Sequence, residues 1–351
     1  MQSLKEIKME DTLVTIVIAS YNNSKYIARC LDTVVHQTYN NLEIIIIDDG
    51  STDNTKVICQ RFMIDRRVHF VEKQNGGLSS SRQLGLEQAN GVYISFIDAD
   101  DYLTPRYVED FVNSFEFNGG DVAVCSTRFE DADGREIPTP SFQCTNSEGV
   151  LQLKHENLLS GFPLNIILSD SWNKMYRAQF LRTICVRFEL PRGFNGTDTV
   201  FNWKVAFHQP YYLTIEAQNY VHVIYKSSAV HRKNKKLFQG FQHIIEQLLC
   251  EAEKLDNVTI LCRCINTQYS DYIRYSLTDE LQESASVANN IKTVIEFKRK
   301  EKSFRKKHPN LAISVSLANT ISSKIFVFLY RYTTILLLLY LYARSNAIER
   351  L

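Results

Sequence analysis

The sequence predicts an α/β protein: a mostly parallel sheet with helices on both faces, followed by a mainly helical C-terminal region. Short apolar, β-branched runs alternate with helix-period segments through the first half of the chain. The polar, glycine-containing loops follow the strand-like runs, and from about residue 235 onward the pattern turns mostly helical. With 351 residues, 44% of them hydrophobic and 23% charged, the chain has a globular balance and length for one large domain or two smaller ones.

The first strand is "LVTIVIAS" (13–20), bounded by "YNN". Ile27, Leu31, Val34 and Val35 then recur at helical spacing between Ser24 and Thr38. "LEIIIID" (42–48) is the second strand, closed by "DDGSTDN"; a helix near 53–64 and a strand over 67–72 follow. The loop "KQNGGLSS" leads to a helix near 79–90 and the strand "VYISFI" (92–97). After Pro105 a helix precedes a strand over 121–126. Residues 127–170 read as irregular, while 171–181 and 193–207 read as ordered, the latter helical after a Thr/Asp start that suits a cap. In a parallel sheet, ligands sit outside the carboxyl ends of the strands. Tyr21–Asn22, Asp48–Asp49–Gly50, Asn75–Gly76–Gly77 and Asp98–Asp101 all fall there, so one rim is expected to carry the site.

Charge and cysteine usage narrow the classes. A formal net charge of +1 offers nucleic acid no global attraction, and no nucleic-acid partner is expected. The eight cysteines are scattered without a CxxC pair, which argues against a zinc site or a secreted disulfide framework. They read as reduced core residues of a cytosolic chain. The lead over 1–12 has no long apolar stretch, so no secretory signal is expected there.

"FIDADDYLTP" (96–105) sets three aspartates within four positions at a strand end. Alternation points Asp98 and Asp100 the same way, an arrangement suited to a hard divalent cation such as Mg2+ or Mn2+. The competing reading is a solvated turn in which Asp100 or Asp101 caps the helix after Pro105. Asp48 and Asp49 close another strand at Gly50, where a carboxylate can accept hydrogen bonds from a nucleotide base or ribose. A turn and helix cap would also use these residues. The glycines of "KQNGG" allow close backbone approach, and the helix N-terminus behind them favours phosphate.

The blocks "TIVIASYNNSKYIARCLDTVVHQTYNNLEIIIIDDGSTDNT" and "NGGLSSSRQLGLEQANGVYISFIDADD", in this order and spacing, resemble the glycosyltransferase family 2 domain of the GT-A fold over roughly 13–225. That resemblance implies inverting sugar transfer from a nucleotide-diphosphate donor, a UDP-sugar being the expected one, to a hydroxyl of a growing bacterial surface glycan or lipid-linked saccharide. It implies a divalent metal cofactor, Mn2+ or Mg2+. Asp49 matches the family's base-contacting aspartate, and Asp98 and Asp100 match its DxD signature, with Asp100 favoured for the metal. Ala19, Tyr21, Asn22, Asn75 and Gly77 fall at donor-binding positions. "GFNGTDTVFNWKVAFH" lies where the family has an acidic pair; here it reads Thr197-Asp198, leaving Asp198 as the expected catalytic base or, alternatively, a helix N-cap. Ala19 stands for a frequent proline, and Gln83 for a frequent asparagine after Arg82. "SWNKMYR" resembles a segment of polysaccharide-synthesising members, with Trp172 expected to stack on a sugar and Asn173 and Lys174 to reach its polar groups. A core tryptophan is the alternative. A sugar-phosphate nucleotidyltransferase is the enzymatic rival, and a non-catalytic sugar-binding protein the other.

The remaining chain, 226–351, holds a basic run and an apolar run. "KRKEKSFRKKH" (298–308) has seven Lys/Arg against one Glu, and "IFVFLYRYTTILLLLYLYA" (325–343) is interrupted by Arg331. Arg331 costs insertion about 2.5–3.5 kcal/mol, which leaves a full span marginal. Residues 298–343 are therefore expected to lie on an anionic membrane surface, at the inner face of the cell membrane, or else to pack internally.

Overall fold

The computed structural model describes residues 12–138, 149–152, 170–194, 196–225, 237–281 and 287–311, with single positions elsewhere. The β-branched runs fold as strands because both their faces are covered: β1 (Val14–Ser20) is buried throughout, and β2 (Leu42–Asp48) nearly so. Between them α1 (Ile27–Val35) buries Ile27, Cys30, Leu31 and Val34 on one face and runs from the first to the last of the apolar residues at helical spacing, within the Ser24–Thr38 window. Then come α2 (Thr55–Phe62), β3 (Val68–Glu72), α3 (Leu78–Gln88), β4 (Tyr93–Asp98), β5 (Tyr102–Leu103), α4 (Tyr107–Asn118) and β6 (Val122–Asp131). The later strands are β7 (Val150–Gln152), β8 (Lys174–Arg177) and β9 (Tyr211–Ile224), with α5 (Ala178–Ile184) and α6 (Thr197–Phe207) between β8 and β9.

The described strands form one sheet of nine, in the order β3-β2-β1-β4-β8-β6-β9-β5, with β7 on β9. β3, β2, β1 and β4 are mutually parallel, whereas β8 runs antiparallel between β4 and β6. The sheet is mixed rather than uniformly parallel, because distant segments of the chain complete it. Gly85 lets α3 settle onto β1: a Cβ there would stand 2.2 Å from Val17 Cγ1. On the same face of the sheet, Phe96 of β4, the registered neighbour of Val17, packs edge-on against Phe188 and Phe201, which are themselves stacked at 3.9 Å. That aromatic cluster anchors α6 to the strand that ends in Asp98.

Two compact units partition the chain, Met1–Leu153 with Pro163–His231, and Lys154–Phe162 with Arg232–Leu351. Within the second, α7 (Leu237–Ala252), α8 (Val258–Glu280) and α9 (Val287–Lys307) pack through Phe238 against Phe297 (4.8 Å between centroids) and through a Tyr269–Glu301 hydrogen bond of 3.1 Å. Among the described residues no helix is long and apolar enough to cross a membrane. The apolar segment 325–343 lies outside the described residues except for Tyr330 and Leu337. All seven described cysteines are free, and Cys185 and Cys250 are exposed rather than in the core.

Candidate active site

The chain order 3-2-1-4 reverses beside β1, which opens a crevice above the carboxyl ends of β1 and β4. Register brings the loops level there: Ala19 pairs with Asp98, Ser20 with Asp48, and Asp48 with Glu72. The four loops expected on one rim are therefore neighbours.

The turn after β2 is tightly organised. Asp48 is fully buried and accepts from Ser51, its backbone N–H at 3.1 Å and its hydroxyl. It shapes the turn and offers nothing to a ligand. Asp49 accepts from Lys73 Nζ (2.6 Å) and from the backbone N–H groups of Gly76 (2.9 Å) and Gly77 (2.7 Å). Burial by itself would raise its pKa, but those donors outweigh burial and hold it below the usual carboxylate range. Three of its roughly four lone-pair sites are used, so one remains for a ligand donor. Gly77 reaches Asp49 from a left-handed backbone (φ +89°), which a side chain would strain. Asn22 ties the first loop to the second by accepting from the Thr52 N–H at 2.8 Å, while Tyr21 stays 46% exposed. Beside them, the buried Ser20 Oγ and Asn75 Oδ1 have no hydrogen-bond partner among the described residues, unusual for buried polar atoms and apt for a ligand.

Beyond β4, one oxygen each of Asp98, Asp100 and Asp101 lie within 4.8 Å of one another. Their environments differ. Asp101 is buried and accepts from Tyr220 (2.7 Å), His222 Nδ1 (2.9 Å) and the Val223 N–H (2.9 Å), so it braces β9 and caps no helix. Burial would lower the His222 pKa, but its bond to Asp101 and the neighbouring carboxylates push it up to about 9. Asp98 is paired with Arg82 Nη2 at 2.5 Å. Among the described residues no side chain donates to the Asp100 carboxylate; Arg29 reaches its backbone oxygen instead, at 2.9 Å. Burial, then Asp98 and Asp101, push the Asp100 carboxyl up to about 7. An uncompensated carboxylate beside two others fits a divalent cation, which would supply the missing charge.

Asp198 lies in the first turn of α6, whose N-cap is Gly196, so it is not the cap. Its Oδ1 accepts from Arg82 Nη1 and its Oδ2 from the Ser171 N–H at 3.3 Å. It lines a cavity of about 330 Å³ together with Gly77, Ser79, Asp170 and Arg192. Arg82 is only 1% exposed and bridges Asp98 and Asp198. Sequence reasoning assigned it no role; the one available signal was a charged residue on the inward face of α3, one turn before Gly85.

The segment expected to meet the acceptor is internal. Trp172 is 7% exposed, its indole laid over Tyr220 and His222 at centroid distances of 4.6 and 5.1 Å. It offers no open face to a sugar. Asn173 and Lys174 are buried as well: Lys174 Nζ donates to Asn173 Oδ1 (2.9 Å) and to the Asp170 carbonyl, and burial pushes its pKa down to about 8. Inward placement at the start of β8 and in the turn before it takes these residues from the acceptor and makes them scaffold.

A mixed α/β sheet with carboxylates gathered above a switch point defines a ligand-binding α/β protein of the nucleotide-using type. A family model for glycosyl transferase family 2 matches residues 15–184. EpsH of Bacillus subtilis is 31% identical over 239 residues, which are 66% of this chain and 67% of that protein. Glycosyltransferase GlyA of Streptococcus pneumoniae is 31% identical over 224 residues; they are 62% of this chain and only 31% of GlyA, a much longer protein. In fold, S. aureus TarS 1–349 in complex with UDP-GlcNAc is similar at a TM-score of 0.67 and 17% identity, over 91% of this chain and 87% of that one. The mannosyltransferase PcManGT from Pyrobaculum calidifontis, in complex with GDP-Man and Mn2+, reaches 0.50 at 15% identity, over 84% and 82%. The chain belongs to glycosyltransferase family 2 and is a nucleotide-sugar glycosyltransferase of that inverting family.

Proposed function

We propose that the chain transfers a sugar from a UDP-sugar to a hydroxyl of a growing bacterial surface glycan or lipid-linked saccharide, with Asp198 as catalytic base. The observation that carries this reading is the pairing of Asp198 and Asp98 with one guanidinium, which makes base and donor-side carboxylates neighbours. Asp198 takes the proton of the acceptor hydroxyl while its oxygen attacks the anomeric carbon from the face opposite the leaving group. The new glycosidic bond forms as the bond from anomeric carbon to diphosphate breaks, and the electron pair departs with the nucleoside diphosphate. Asp49 accepts a ring N–H of the base through its free lone pair, with Ala19, Tyr21, Asn22, Asn75 and Gly77 around the donor. A divalent cation, Mn2+ or Mg2+, held by Asp100 and Asp98 would stabilise charge developing on the diphosphate. UDP is favoured because the TarS likeness is to a UDP-GlcNAc complex.

A lipid-linked acceptor would place the work at the inner face of the cell membrane. In support, Lys292, Arg299, Lys302, Lys306 and Lys307 of α9 are exposed, and none has a carboxylate partner among the described residues. Such a face suits anionic lipid.

The test is a screen of UDP- and GDP-sugars with Mn2+, reading nucleoside diphosphate release with and without lipid-linked saccharide. Acceptor-dependent release from one UDP-sugar is the expected result; no such release from any of the nucleotide-sugars would overturn the reading.

A further inference from the structure

The three clustered aspartates are compensated unequally, and the difference singles out Arg82. Asp101 has His222, Asp98 has Arg82, and the carboxylate of Asp100 has no side-chain donor among the described residues. Arg82 alone also reaches out of the cluster, to Asp198. We propose that Arg82 is a positioning residue that sets Asp198 relative to Asp98 and competes with the divalent cation for Asp98. This rests on the reading above of Asp198 as base and of Asp98 and Asp100 as the cation's ligands.

A guanidinium is a rigid planar fork, so carboxylates bound to its two ends are fixed relative to each other. The surroundings fix the fork as well. Gly85 seats α3 on β1, and the Ser79 hydroxyl lies 3.0 Å from that of Thr197, joining the starts of α3 and α6. The Ser171 N–H then holds the other oxygen of Asp198. Yet Arg82 Nε is buried without a partner among the described residues. An arginine serving packing alone would be expected to satisfy its buried N–H groups. Here both Nη atoms go to the two carboxylates while Nε goes without, so bridging takes precedence over hydrogen-bond satisfaction.

The bridge has an electrostatic consequence. A cation bound at Asp98 and Asp100 is close to the guanidinium, and like charges at such separations repel strongly in a partly buried site. Arg82 therefore weakens cation binding. In return, a cation that takes Asp98 leaves the guanidinium to Asp198, so loading the donor side secures the base. Removing the positive charge should tighten cation binding and at the same time impair turnover, a split that loss of folding does not produce.

The experiment compares wild type, Arg82→Gln and Arg82→Lys by calorimetric titration with MnCl2 alone, by steady-state kinetics and by thermal melting. In Arg82→Gln the Kd for Mn2+ should fall about 10-fold, while kcat falls about 10²-fold through misplacement of the base and the donor KM changes little. Arg82→Lys keeps the charge and loses the fork, so its Mn2+ affinity should stay within about threefold of wild type while kcat still falls at least about 10-fold. Should Arg82→Gln fail to fold, Arg82→Lys decides the matter through kcat. Unchanged or weaker Mn2+ binding in folded Arg82→Gln, or a near-wild-type kcat in Arg82→Lys, overturns the inference alone. Absence of Mn2+ binding in wild type overturns the metal reading and this inference together.

Discussion

The turns after β2 and β4 each end a buried strand in adjacent carboxylates, and they treat that charge in opposite ways. Asp49 is met by Lys73 and two glycine N–H groups and is held below the usual carboxylate range. Asp100 lacks such donors, faces Asp98 and Asp101, and is pushed up to about 7. Similar residues at similar strand ends thus acquire opposite protonation tendencies from neighbours that arrive from elsewhere in the chain. A satisfied carboxylate is a preformed, rigid acceptor. An unsatisfied one is an electrostatic debt that a cationic ligand can settle.

The largest expected effect tests whether proton transfer is separate from both turns. Asp198→Asn should lower turnover by roughly 10²- to 10⁴-fold, with UDP and Mn2+ affinities unchanged by calorimetry. A turnover within about threefold of wild type would place the base elsewhere and leave Asp198 a structural partner of Arg82.

Asp100→Asn addresses the unsatisfied turn directly. The Mn2+-dependent part of UDP binding should disappear, and unchanged Mn2+-dependent affinity would exclude Asp100 as a ligand. Its pH signature has a definite sign. The native carboxyl holds its proton to about 7, whereas the unfolded chain releases it near the usual 3.8. The native state binds the extra proton between those values, so this contribution is full below the unfolded pKa and is lost as pH rises through the native one. Metal-free Asp100→Asn should therefore be more stable than wild type at pH 8, by about 2–4 kcal/mol, and little different at pH 4. Urea unfolding at both pH values measures the difference; the same stability gap at both would mean that packing, not charge, is responsible.

Lys73→Met probes the satisfied turn and should act in the other direction. Asp49 loses its cation, and the protein loses about 1–2 kcal/mol at pH 7. Because the Asp49 pKa is depressed in the native state, its contribution is present above the unfolded value and lost as pH falls through the native one. The difference between mutant and wild type should thus shrink in acid unfolding experiments. A difference that is constant with pH would mean Lys73 acts through its alkyl stem.

The smallest effect on transfer lies far from either turn. Charge reversal of Lys302 and Lys306 to Glu should weaken co-sedimentation with anionic vesicles by about 30-fold, since each basic residue near such a surface is worth about 1 kcal/mol. Transfer to a soluble acceptor should be unaffected. Vesicle binding that ignores the reversal would remove this face of α9 from the membrane proposal.

Local pattern alone determined a large part of this protein. The burial runs of β1, β2 and β4 and the spacing of Ile27, Leu31 and Val34 depend on residues within one turn or one strand, and they were legible as such. So was the gathering of four loops on one rim, because parallel strands joined by helices must point their carboxyl ends the same way. Tertiary structure decided the rest. β8 slots antiparallel between β4 and β6, and β9 pairs with β6 from a segment ninety positions later in register, Val122 with Tyr212. No periodicity within a strand encodes its distant partner. Those pairings turned Trp172, Asn173 and Lys174 inward, gave Asp101 to His222, and brought Asp198 to the guanidinium of Arg82. A side chain's type is written in the sequence, but its charge state and its access to a ligand depend on which groups, remote along the chain, are folded against it.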